Sequence, residues 1–157
     1  MTNTIRQSAS ADQVLNAPPA TVFPLLCPVR EAEWVPGWTV RMIHSASGLA
    51  EPGAVFATAS STTRPDGGAE EEVWIISRHE APRIVAFVKT LPGAYIARYE
   101  ITLAPEGDGH TRATWFQEIT ALSPQGAALL TDAWPAAFRA TVGHLETLLN
   151  AFLARAD

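Results

Sequence analysis

Between Trp38 and Leu122 the chain alternates apolar and polar residues with a period of two, in short segments separated by turn residues. Period two is the signature of half-buried antiparallel strands. The turns are marked by Gly48, Pro52-Gly53, the RPDGG run at 64–68, Ala81-Pro82, Leu91-Pro92-Gly93 and PEGDG at 105–109. Six strands are predicted, over 39–47, 54–63, 70–80, 83–90, 94–103 and 110–122. The intervals are too short for the crossovers a parallel sheet needs, so the strands are joined as hairpins. A weaker strand is predicted over 4–16, where small polar residues dilute the alternation.

The alternation also assigns faces. Val40, Met42 and His44 share one face of the first segment, with Arg41 and Ile43 opposite. Tyr95, Ala97, Tyr99, Ile101 and Leu103 point one way, as do Ala113, Trp115, Gln117 and Ile119 in the last strand. The pattern leaves the inward face of 54–63, 70–80 and 83–90 open. Phe56 fits either face. Trp74 shares parity with Glu70, Glu72 and Arg78, and the acidic run 70–72 reads as a solvated strand entry.

Helical signals flank this region. Pro18 and Pro19 suit a helix start, with Val22, Phe23, Leu25 and Leu26 as its apolar face and Pro24 keeping it short. Residues 30–35 predict a second short helix, stopped by Pro36-Gly37. After the last strand, Ser123 is an N-cap candidate and Pro124 suits the first helical position. Leu130, Trp134, Phe138, Val142, Leu145, Leu149 and Phe152 then form a helical stripe. Arg139, Glu146, Thr147 and Asn150 lie off it, and Pro135 predicts a kink or restart near Trp134.

The predicted fold is α+β, in one domain over 1–157: a seven-stranded curved antiparallel sheet, two short helices after the first strand, and one long C-terminal helix over the concave face. One helix cannot reach every inner side chain of a strongly curved sheet. The leftover space is an apolar cavity, where small ligands bind.

Composition excludes some functions. The net charge is −5 with no basic cluster, so a phosphate backbone is repelled and no nucleic-acid partner is expected. No apolar run is long enough for a membrane span, and the polar N-terminus lacks the apolar core of a signal peptide. Cys27 is the only cysteine and reads as a buried structural thiol, which fits a reducing cytoplasm. The four histidines lack metal-ligand spacing, so neither metal nor cofactor is expected.

The candidate pocket comprises Val40, Met42, His44, Phe56, Trp74, Tyr99, Ile101, Trp115 and Gln117 from the sheet, and Thr131, Phe138, Thr141, Val142 and Leu145 from the helix. Within it His44 is the candidate acid or base, against the plainer reading of a histidine bonded to backbone. Gln117, Tyr99, Thr131 and Thr141 are candidate anchors for a ligand. The plainer reading is that backbone satisfies them, since a helical threonine bonds back to its own preceding turn. His79 and His110 read as solvated, and His144 as flanking the buried helix face. Trp115 and Trp134 read as core or cavity wall, and Trp34 and Trp38 as framing the loop after the short helices. No inward pair of carboxylates is evident.

The segments VFPLLCPVREAEWVPGW (22–38), HSASGLAEPGAVFAT (44–58), VWIISRHE (73–80) and WFQEITALSPQG (115–126) resemble the START and birch-pollen-allergen-like superfamily, SRPBCC. The first resembles a bacterial polyketide-cyclase-like subgroup. The resemblance implies a helix-grip fold with a cavity between sheet and long helix, but no reaction and no catalytic residue. Three uses of the cavity follow. It binds a hydrophobic or aromatic small molecule; it is a cyclase- or dehydratase-like active site; or the domain is a protein-interaction module with a small cavity. Monomer and dimer are both compatible with the sequence.

Overall fold

The computed structural model describes residues 5–63 and 68–155. The strands are β1 (Arg6–Leu15), β2 (Arg41–His44), β3 (Val55–Thr63), β4 (Ala69–Glu80), β5 (Ile84–Leu91), β6 (Tyr95–Pro105) and β7 (Thr111–Ala121). Helix α1 (Pro19–Val22) runs into a 3-10 turn, Phe23–Leu26, and a second 3-10 turn covers Arg30–Glu33. Helices α2 (Pro124–Leu129) and α3 (Trp134–Arg155) close the chain. The turn expected over 64–68 lies, apart from Gly68, outside the described residues, as does Thr4.

All seven strands form one antiparallel sheet in the order β1-β7-β6-β5-β4-β3-β2. The hairpins put β2 to β7 in sequence order, and β1 returns to pair with β7. Helix α3 lies over the inner face and buries Phe138, Val142, Leu149 and Leu153 there. This is the helix-grip arrangement that the resemblance implies. The helix is fixed to the sheet at β1. Gln13, fully buried, donates from Nε2 to the Val142 carbonyl at 2.8 Å and accepts from Trp115 Nε1 at 2.8 Å. Glu146 accepts from the Val14 backbone N–H, while Asn150 accepts from the Asn16 N–H and donates to the Val14 carbonyl. These helix residues, off the apolar stripe, thereby cover a sheet edge that would otherwise present free backbone groups.

Three local features depart from the expected pattern. Strand β2 is short and bulged between Met42 and His44. Met42 stands opposite inward Phe56, whereas His44 stands opposite outward Val55 and is exposed. The extra residue reverses the parity, so His44 is not an inner-face residue. A second bulge, between Ile76 and Arg78, turns His79 inward, where its ring meets Phe23 edge-on at 5.1 Å. His79 is therefore half-buried and not solvated as expected. The restart anticipated at Pro135 is a break of four residues, 130–133, between α2 and α3. Leu130 is buried there with Ala97 and Ile119, and Thr131 is exposed.

Candidate functional site

The sheet and α3 do not meet along their whole length, and a cavity of about 810 Å³ remains between them. Its wall is largely aromatic. Phe56 stacks on Trp74 at 5.4 Å, Trp74 meets Phe87 at 5.6 Å, and Phe87 meets Tyr99 at 6.3 Å. Tyr99 continues the series to Trp115 and to Phe138 of α3, both at 6.0 Å, and Phe138 stacks on Trp134 at 5.6 Å. Rings on five neighbouring strands and one helix thus form a continuous belt. Such pairs favour offset or edge-on contact, and each adds about 0.5–1.5 kcal/mol beyond simple burial.

Strand register places these side chains. Thr58 stands opposite Glu72, Phe56 opposite Trp74, and Trp74 opposite Lys89. Phe87 stands opposite Tyr99, and Tyr99 opposite Gln117. Residues directly opposite share a face, so all of these face the cavity. The inner face of β3, β4 and β5, open in the sequence, is therefore Phe56 and Thr58, Glu72 and Trp74, and Phe87 and Lys89.

Of the predicted pocket residues, Phe56, Trp74, Tyr99, Ile101, Trp115, Gln117, Phe138, Thr141 and Leu145 line this cavity. Five lie elsewhere. Val40 and Met42 are half-buried against the core beside it. Val142 is fully buried on the part of α3 that meets β1, where no space remains. His44 is turned outward by the bulge, and Thr131 lies in the break before α3. Thr141 lies at the rim and donates from Oγ1 to the Ala137 carbonyl at 3.1 Å, the bond to its own preceding turn.

The polar wall residues that were not among the candidates include Glu31, Glu72, Lys89 and Tyr95. Glu72 does not belong to a solvated strand entry. Its Oε2 accepts from Tyr95 Oη at 2.8 Å and pairs with Lys89 Nζ at 3.2 Å. The Lys89 ammonium also lies 4.7 Å from the Trp74 ring centre and 5.6 Å from that of Tyr99. Carboxylate and ring faces together compensate it. The parity of Glu72 with Trp74 was a usable signal for this placement. Thr58 accepts from Trp74 Nε1 at 2.9 Å.

Glu31 reaches the cavity from the second 3-10 turn. Trp34 Nε1 donates to the Leu25 carbonyl and Trp38 Nε1 to the Pro28 carbonyl, both at 2.8 Å, which ties this segment down as one lip of the cavity. Removal from bulk water pushes the Glu31 carboxyl up to about 8. Burial, followed by the nearby Glu31 and Glu72 carboxylates, holds the Tyr99 hydroxyl well above the usual phenol range. Burial and Glu72 do the same to Tyr95. Two carboxyl groups therefore do face inward, one ion-paired and one not.

The remaining candidates lie apart from this chemistry. Cys27 is buried and its Sγ accepts from the Ala50 N–H at 3.3 Å. His110 is exposed, with Nδ1 2.8 Å from the Asp108 carbonyl oxygen. His144 lies at the cavity rim. Among the described residues, no cluster of three or more His, Cys, Asp or Glu could hold a metal ion. None of their helices is long and apolar enough to cross a membrane.

Residues 6–150 match the family model described as polyketide cyclase/dehydrase and lipid transport. No curated protein matches the chain. Among solved structures, the Mll3558 protein from Rhizobium loti is similar at a TM-score of 0.68 and 16% identity, over 96% of this chain and 99% of that one. Ara h 8.0201 is similar at 0.65 and 12%, over 96% and 99%. Norcoclaurine synthase from Thalictrum flavum, in complex with dopamine and hydroxybenzaldehyde, is similar at 0.60 and 12%, over 93% and 87%. At these identities the likeness is one of fold.

Proposed function

Since the chain belongs to the polyketide cyclase/dehydrase and lipid transport family, we propose that it binds one hydrophobic, aromatic small molecule in the cavity between sheet and α3. The observation that carries this reading is the aromatic belt around a space of about 810 Å³. That volume lies within the range of ligand pockets, and ring faces match planar apolar ligands. A protein-interaction module was expected to have a small cavity, and a space of this size favours the ligand reading over it. The norcoclaurine synthase structure also holds small aromatic molecules on a similar fold.

The test is titration with 1-ethylnaphthalene and 1-acetonaphthone, followed by quenching of tryptophan fluorescence and by the thermal midpoint. Trp74, Trp115 and Trp134 in the wall are the reporters. Saturable one-to-one binding of either compound is expected, and it should be lost in a Leu145→Trp variant that fills the cavity. Absence of binding by both compounds would overturn the reading.

A cyclase- or dehydrase-type reaction is the second reading. It is favoured by Glu31, an inward carboxyl pushed up to about 8, near the range suited to proton transfer at neutral pH. His44, the acid or base expected from the sequence, lies outside the cavity. In a substrate screen, Glu31→Gln should abolish turnover while ligand binding survives.

A further inference from the structure

Most polar side chains of the cavity wall already have protein partners: Thr58, Glu72, Lys89, Tyr95 and Thr141 are bonded as described. Among the described wall residues, three that are buried or half-buried lack such a partner, while Thr39 and His144 are exposed. Gln117 is 4% exposed, lines the cavity, and makes no side-chain hydrogen bond to any described residue. The Tyr99 hydroxyl and the Glu31 carboxyl line the same cavity and likewise have no hydrogen-bond partner among the described residues. Tyr99 and Gln117 stand directly opposite each other across β6 and β7. No fully buried side-chain nitrogen or oxygen among the described residues lacks a partner, so the free polar atoms of these three residues open onto accessible space, where water or a ligand meets them. A hydroxyl, an amide and a protonated carboxyl can all donate, so their shared complement is an oxygen acceptor. Lys89 is already compensated by Glu72, which leaves no unpaired Lys or Arg among the described wall residues for an anionic ligand.

We propose that Glu31, Tyr99 and Gln117 form one polar pole of the cavity that grips the carbonyl oxygen of an uncharged aromatic ligand, and that this pole, not Lys89, sets ligand preference. The proposal rests on the ligand-cavity reading above. With its carboxyl pushed up to about 8 by burial, Glu31 is mostly protonated at pH 7 and donates. Above that pH it ionises, loses the proton and repels a carbonyl dipole. The other titratable groups facing the cavity are Tyr95 and Tyr99 on β6, Lys89 on β5, Glu72 on β4 and His144 on α3. Arg30 and Glu33, beside Glu31, pair with each other at 2.9 Å.

The experiment compares dissociation constants of 1-acetonaphthone, 1-ethylnaphthalene and 1-naphthoate; the first two do not titrate between pH 6 and 9. At pH 7 the ketone is expected to bind about tenfold more tightly than the hydrocarbon, and more tightly than the carboxylate. Tyr99→Phe, which removes one oxygen, and Gln117→Leu should each lower the ketone preference several-fold without weakening 1-ethylnaphthalene. The preference should fade between pH 7 and pH 9 in the wild type and persist in Glu31→Gln. Equal binding of ketone and hydrocarbon would overturn the polar pole while leaving the cavity reading intact. So would a preference that none of the three variants alters. Tightest binding of 1-naphthoate would make Lys89 the anchor and also overturn it. A pH dependence retained in Glu31→Gln would belong to the other groups and remove Glu31 from the pole. No binding of any compound would fail the cavity reading itself, and the proposal with it.

Discussion

At the scale of single residues, Glu31 and Gly126 show how a neighbour decides the meaning of a side chain. Burial raises the Glu31 carboxyl from its ordinary 4.5 to about 8, because the charged form is poorly solvated in the cavity. The folded state thus favours the protonated form more than the unfolded chain does. The stability linked to Glu31 is fully present below about pH 4.5 and is lost as the pH rises through about 8. Glu31→Gln should therefore gain stability relative to the wild type as the pH rises from 5 to 9, on the order of a few kcal/mol. Urea denaturation at several pH values checks this; a difference independent of pH would sink it. Gly126 donates from its N–H to Ser123 Oγ at 3.1 Å, and a Cβ there would lie 1.7 Å from the Ala94 carbonyl oxygen. Helix propensity alone favours Ala over Gly by about 1 kcal/mol. Here the clash with backbone reverses the sign, and Gly126→Ala should destabilise by at least about 1–3 kcal/mol, read as a lower denaturation midpoint.

At the scale of elements, the attachment of α3 to β1 depends on polar groups as much as on apolar ones. Gln13 joins the helix backbone at Val142 to Trp115 of β7 and has no water-exposed alternative. Gln13→Leu keeps the volume nearly constant but strands the Trp115 indole N–H, a cost of about 1–3 kcal/mol. Hydrogen exchange should show the amides of α3 and β1 losing protection more than those of β4 and β5. Uniform loss across the sheet would contradict this local role. The order of elements was legible because alternation, turn residues and the helical stripe are local signals. Bulges are not: one extra residue in β2 exposed His44, and another in β4 turned His79 inward. Nothing in either short segment marks the inserted residue.

At the scale of the whole molecule, one helix over a strongly curved sheet leaves space, and the belt from Phe56 to Trp134 keeps that space apolar. The fold should tolerate loss of the space better than ligand binding does. Leu145 is half-buried in the wall, so Leu145→Trp should shift the thermal midpoint by only a few degrees, with binding of naphthalene derivatives abolished. A variant that binds normally would place the ligand elsewhere.

The sequence alone determined the α+β class, the antiparallel hairpins, the restart near Pro135 and the inward faces of β6 and β7. Each follows from a repeat of two or 3.6 residues, or from a turn residue, within a short window. It also named Tyr99 and Gln117 as inward polar residues. Only the tertiary structure decided that Glu31 and Glu72 join them. Glu31 comes from a 3-10 turn with no periodicity to orient it, held in place by Trp34 and Trp38. Glu72 sits in an acidic run that reads as solvated until register sets it opposite Thr58 and Lys89 reaches it from β5. Strand register and the folding-back of a short segment bring together residues far apart in the chain, and no local pattern encodes such distances.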